Sequence, residues 1–101
     1  MLVKIDSAIK NLIPSFLENR QLELDSVKRA ILEANYEKLY QIGHNLRGVA
    51  GSFGFFDLAK LGDLLESSGE RKDLHIAEQA LRSMTVYLNE VQIEYSSTNN
   101  F

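Results

Sequence analysis

Residues 35–54 read NYEKLYQIGHNLRGVAGSFG. Leu39, Ile42, Leu46, Val49 and Phe53 recur in it at alternating steps of three and four. That spacing lines one face of an α-helix; a strand would need alternation with period two. Asn35 is placed to cap such a helix and Gly54 to stop it, so it is expected from about Tyr36 to Phe53. Its interior nevertheless holds Gly43, Gly48 and Gly51, each costing about 1 kcal/mol of helix propensity relative to alanine.

The rest of the chain repeats the helical pattern. A leader helix is expected from about 3 to 12, with Asp6 or Ser7 as cap. Pro14 suits the first turn of a helix reaching about Glu33, with Ile13, Leu17, Leu24, Val27, Ile31 and Ala34 as its apolar stripe. Arg20 interrupts that stripe, so its layer is either solvated or bridged by a snorkelling side chain. Asp57 is a candidate cap for a third helix carrying Leu58, Leu61, Leu64 and Leu65, and SSGERKD reads as the next loop. The fourth helix carries Leu74, Ala77, Leu81, Met84, Leu88, Val91 and Tyr95, and SSTNNF (96–101) reads as a frayed tail. The fold class expected is all-α: an antiparallel up-down-up-down four-helix bundle over about 13–95, with a short N-terminal helix, in one domain spanning 1–101.

The 101 residues are 45% hydrophobic and 25% charged, with a formal net charge of −3, no cysteine and one proline. The acidic balance argues against a nucleic-acid partner. The lack of cysteine removes disulfides and thiolate chemistry and suits a reducing compartment. No stretch approaches the roughly 20 apolar residues of a membrane span, and MLVKIDSAIK holds no signal-peptide core. A cytoplasmic location and a monomer are expected.

A helical wheel of about 100° per residue places His44 opposite the apolar stripe of its helix. Gly48 falls about 40° to one side, Gly51 about 20° to the other, and Arg47 about 60° away. His44 therefore points to solvent on a surface cleared of side chains. Neutral imidazole has a nucleophilic nitrogen, and Arg47 puts a cation beside any anion held there. That combination suits a covalent phosphoryl group. No serine nucleophile, oxyanion-hole motif or carboxylate pair is seen to converge on it, and no cofactor is expected. The competing reading is an incidental surface histidine on a structural bundle. His75 has no partner signature and gets no function. Phe53 belongs to the core. Of Phe55 and Phe56, one is expected to close the bundle end and the other to stand near the histidine face. Tyr40, Gly51 and Phe55 are the candidates for docking a partner.

The segment HNLRGVAGSFG (44–54) resembles the signature of histidine-containing phosphotransfer (Hpt) domains. The motif is a histidine, a hydrophobic residue two positions on, a basic residue, glycine, a run of small residues, and a hydrophobic–glycine pair. These are His44, Leu46, Arg47, Gly48, Ala50-Gly51-Ser52 and Phe53-Gly54. LAKLGDLLE resembles the family helix that packs beside the histidine helix. The resemblance implies a phosphorelay step in which a receiver-domain phosphoaspartate passes its phosphoryl group to His44 and a second receiver takes it. His44 would be the phosphoacceptor through Nε2, Arg47 would screen phosphoryl charge, and Gly48 would give ring and partner room. The receiver would supply the acidic pocket and Mg²⁺. The domain would thus be a carrier and not an enzyme, with response-regulator receivers and a sensor histidine kinase, hybrid or not, as partners. Arg47 stands where lysine is commoner, and Gly43 where alanine is more usual. Two alternatives remain open: a domain phosphorylated directly by a chemotaxis-type kinase, and a helical interaction module that carries no phosphoryl group.

Overall fold

The computed structural model describes residues 1–97. Strand β1 (Leu2–Asp6) leads through a 3-10 helix (Ser7–Leu12) into α1 (Ile13–Leu32). Then come α2 (Tyr36–Phe53), α3 (Phe56–Glu70), α4 (Leu74–Glu90) and strand β2 (Gln92–Ser96). The four helices form a ring of neighbours, with α1 against α2 and α4, and α3 against α2 and α4. The helical core the spacing called for is present: Ile13, Leu24, Val27, Leu39, Leu46, Leu58, Leu65, Ala77 and Met84 are all buried.

Several local signals act as their chemistry dictates. The Asn35 side chain accepts the Lys38 N–H at the start of α2, and Asp73 accepts from His75 and Ile76 at the start of α4. Gly54 ends α2 with φ 94°, a left-handed conformation that glycine adopts without penalty. Arg20 is mostly buried within its layer: its guanidinium lies 4.9 Å over the Phe16 ring and its Nε is 3.2 Å from Glu23 Oε1. Burial pushes the Glu23 carboxyl up, and Arg20 offsets part of that.

Five expectations need correction. The leader is not a helix over 3–12. Its first half is β1, and Ser7–Leu12 is a 3-10 helix capped by Asp6. The fourth helix stops at Glu90. Val91 is already extended, and Ile93 and Tyr95 alternate with polar residues in β2, which pairs in parallel with β1 from Leu2↔Gln92 to Asp6↔Ser96. Val91 and Tyr95 fit a helical stripe and a strand equally well, and the partner strand decides between them. The SSGERKD segment is mostly helix: α3 continues through Glu70, and only Arg71–Asp73 connect to α4. The N-cap of α3 is Phe55, with Asp57 two residues on, in the first turn. Of the expected frayed tail, Ser96 belongs to β2, and 98–101 lie outside the described residues.

Candidate functional site

His44 stands on the solvent side of α2, with 56% of its side chain exposed. One turn before it, Tyr40 stacks parallel to the imidazole, with ring centroids 6.1 Å apart. The Nδ1 edge of the ring faces α3, where it lies 2.7 Å from Glu66 Oε2. Glu66 is 8% exposed, and its other oxygen, Oε1, is 3.0 Å from Arg47 Nη1. The same Nη1 is 3.4 Å from Asp63 Oδ1 at the surface.

This arrangement selects a tautomer when Glu66 is ionised. An ionised carboxylate can only accept, so Nδ1 is then the donor to Glu66. In the neutral ring the lone pair then sits on Nε2, which has no hydrogen-bond partner among the described residues. A buried carboxylate is tolerable because both oxygens are engaged, one by the imidazole N–H and one by the guanidinium.

The helix contact that delivers Glu66 is made of backbone. A Cβ on Gly43 would run into the Glu66 backbone nitrogen and come within 2.5 Å of the Gly62 carbonyl. A Cβ on Gly62 would come within 2.6 Å of the Arg47 nitrogen, and one on Gly69 within 2.5 Å of the Tyr40 nitrogen. Tyr36, Tyr40, Gly43 and Arg47 are i, i+4, i+7 and i+11 on one face of α2; Gly62, Glu66 and Gly69 are i, i+4 and i+7 on one face of α3. Higher α2 numbers meet lower α3 numbers, so these two helices run antiparallel.

The interior glycines of α2 thus do different things. Gly43 is buried clearance for α3. Gly48 faces open space, with no atom within 4 Å of the place its Cβ would occupy. Gly51 is half-buried, and a Cβ there would meet Ala59 at an ordinary 4.0 Å. Phe55 cannot dock a partner: it is fully buried and stacks on Phe16 at 4.8 Å. The left-handed turn at Gly54 swings Phe55 into the bundle end and leaves Phe56 68% exposed. A cavity of 440 Å³ lined by Met1, Asp57, Leu61, Arg82, Ser83, Val86 and Tyr87 shares no residue with this site.

Glu66 and Asp63 are the site residues that the sequence pattern passes over. A signal for Glu66 exists: Gly62 and Gly69, seven apart, mark the face of α3 that approaches a neighbour closely, and Glu66 lies on it.

The family model described as Hpt domain matches residues 11–95. The chain belongs to the Hpt domain family. It therefore has a phosphotransfer role in two-component signalling, as a carrier that works with receiver and kinase domains. No curated protein and no solved structure matches the Hpt chain significantly. Among the described residues, no helix of this Hpt domain is long and apolar enough to cross a membrane.

Proposed function

We propose that His44 is the phosphoacceptor of a phosphorelay, taking a phosphoryl group from the phosphoaspartate of one receiver domain and passing it to another. The observation that carries this is the 2.7 Å contact between His44 Nδ1 and Glu66 on an otherwise exposed ring. It leaves Nε2 as the free nucleophile. As Nε2 bonds to phosphorus, the P–O bond to the aspartate breaks and its electron pair stays on the carboxylate. The ring gains positive charge in that step, and Glu66 stabilises it through the retained Nδ1 proton. The same charge makes the phosphorylated ring a good leaving group toward the next aspartate. Mg²⁺ and the acidic pocket come from the receiver.

Arg47 supplies a cation beside the phosphoryl oxygens. Gly48 supplies clearance, in keeping with the open space around it. Tyr40, at 39% exposure, and half-buried Gly51 belong to the docking surface, and exposed Phe56 takes the part first given to Phe55. The domain acts as a cytoplasmic monomer. An up-down-up-down course of all four helices is favoured by connections of only two or three residues.

A phosphorylated receiver mixed with the protein should label it with an acid-labile, base-stable adduct. His44→Gln should abolish labelling while the circular dichroism spectrum stays unchanged. Full labelling of that variant would refute the assignment. Labelling by a kinase module with ATP, and by no receiver, would assign the domain to a chemotaxis-type kinase instead.

A further inference from the structure

Arg47 is shared. Its Nη1 faces Glu66 at 3.0 Å and Asp63 at 3.4 Å. The two carboxylates are not equivalent. Glu66 is nearly buried, holds His44 as well, and anchors the guanidinium at the shorter distance. Asp63 is 66% exposed, contacts nothing else among the described residues, and comes from the α3 turn just before Glu66. As an anchor for Arg47 it is redundant. As a charge it is not: His44, Arg47 and Glu66 sum to zero with neutral imidazole, and Asp63 makes the cluster −1. The nearest other cation on this stretch of α3, Lys60, leans toward Asp57 at 3.9 Å. A phosphoryl group on Nε2 brings up to two negative charges beside that cluster, against one positive charge gained by the ring.

We propose that Asp63 sets how tightly this domain holds its phosphoryl group. By drawing on the Arg47 cation and adding an uncompensated carboxylate, it raises the free energy of phospho-His44. The phosphohistidine is thereby kept a ready donor. This rests on His44 being the phosphoacceptor, as proposed above, and adds a residue that acts on the group through Arg47 without touching it.

The test uses phosphoramidate, a small donor that needs no partner protein. Its P–N bond breaks as phosphorus bonds to Nε2, and ammonia leaves with the electron pair. The Nδ1 proton remains between ring and Glu66. The labelled fraction at plateau is read by intact mass across a series of phosphoramidate-to-ammonium ratios. In Asp63→Asn the half-labelling ratio should fall about threefold to fivefold, the size of one exposed charge pair. Asp63→Glu should behave like the wild type. Because the effect is electrostatic at an exposed site, the difference should shrink below about twofold in 1 M salt. A structural role for Asp63 would show none of that salt dependence. An unchanged or higher half-labelling ratio in Asp63→Asn overturns the proposal, the latter making Asp63 an anchor for Arg47. A wild-type protein that takes label elsewhere than His44, or none, overturns the phosphoacceptor assignment and this proposal with it. Normal labelling with an inert Asp63 overturns this proposal alone.

Discussion

His44 owes its directionality to one neighbour. Without Glu66 the two imidazole tautomers would compete, and one of them would put its lone pair on the nitrogen that faces α3. With Nδ1 donating at 2.7 Å, Nε2 is the nucleophile by default. Glu66→Gln tests this with little change in shape. The amide oxygen can still accept from Nδ1, but the charge that stabilises the developing imidazolium is gone. A hydrogen bond to a charged group contributes about 1.5–3 kcal/mol, so labelling by phosphoramidate should slow roughly tenfold to a hundredfold. Nitrogen NMR of the ring should show the Nδ1–H tautomer in the wild type and a mixture in the variant. A wild-type ring protonated on Nε2 would refute the orientation. Gly48 poses the complementary test of access. Gly48→Gln puts a long side chain into open space one turn from the ring, so transfer from a receiver should fall while phosphoramidate labelling persists. Equal loss with both donors would mean that the variant disturbs the site itself and not the approach to it.

Within α2, the same residue type does opposite things five positions apart. Gly48→Ala meets nothing and should gain about 0.5–1 kcal/mol of helix stability. Gly43→Ala drives a Cβ into the backbone of α3 and should cost about 1–3 kcal/mol as an overpacked contact. It should also lower phosphoryl acceptance, because pushing α3 away withdraws Glu66 from Nδ1. Urea melts of the two variants check the signs, and a stable Gly43→Ala would contradict the close backbone contact. This pairing shows what was legible beforehand. The α2 stripe, its Asn35 cap, its Gly54 stop and the outward direction of His44 all follow from spacing within one helix. Gly43 has no reason within α2, because its reason lies in another helix. A wheel places it about 100° from His44 but cannot say that α3 passes there. Glu66 was hidden for the same cause: its role depends on how α3 is rotated against α2, which the Gly62–Gly69 spacing encodes only once α2 is known to be the partner. The choice between Phe55 and Phe56 hung on a single left-handed turn at Gly54. The strands escaped because Val91 and Tyr95 satisfy two periodicities, and only pairing between residues about ninety apart selects one.

The described residues form a rod of 52 × 21 × 19 Å in which β1 and β2 pair on each other. Tyr87, in the last turn of α4 before β2, lies where α3 begins and the strands join. Its ring is 2% exposed and its hydroxyl has no hydrogen-bond partner among the described residues. Burial, and secondarily the Asp57 carboxylate, pushes this phenol from the usual 10 up to about 12. The neutral form is therefore the one the folded state favours. Below about pH 10 the group is protonated whether folded or not, and its contribution is fully present. Between about pH 10 and 12 the unfolded chain loses the proton and the folded one keeps it, so stability falls as pH rises. Tyr87→Phe removes both the unpartnered hydroxyl and the titration. At neutral pH it should match or exceed the wild type, since a buried hydroxyl without a partner costs about 1–3 kcal/mol. From pH 10 to 12 its advantage in melting temperature should widen steadily, against a background of lysine titration common to both proteins. Melting curves of the pair over pH 7–12 measure the gap directly. A gap that stays flat would mean that water reaches the Tyr87 hydroxyl and that the phenol titrates alike in the folded and unfolded chain.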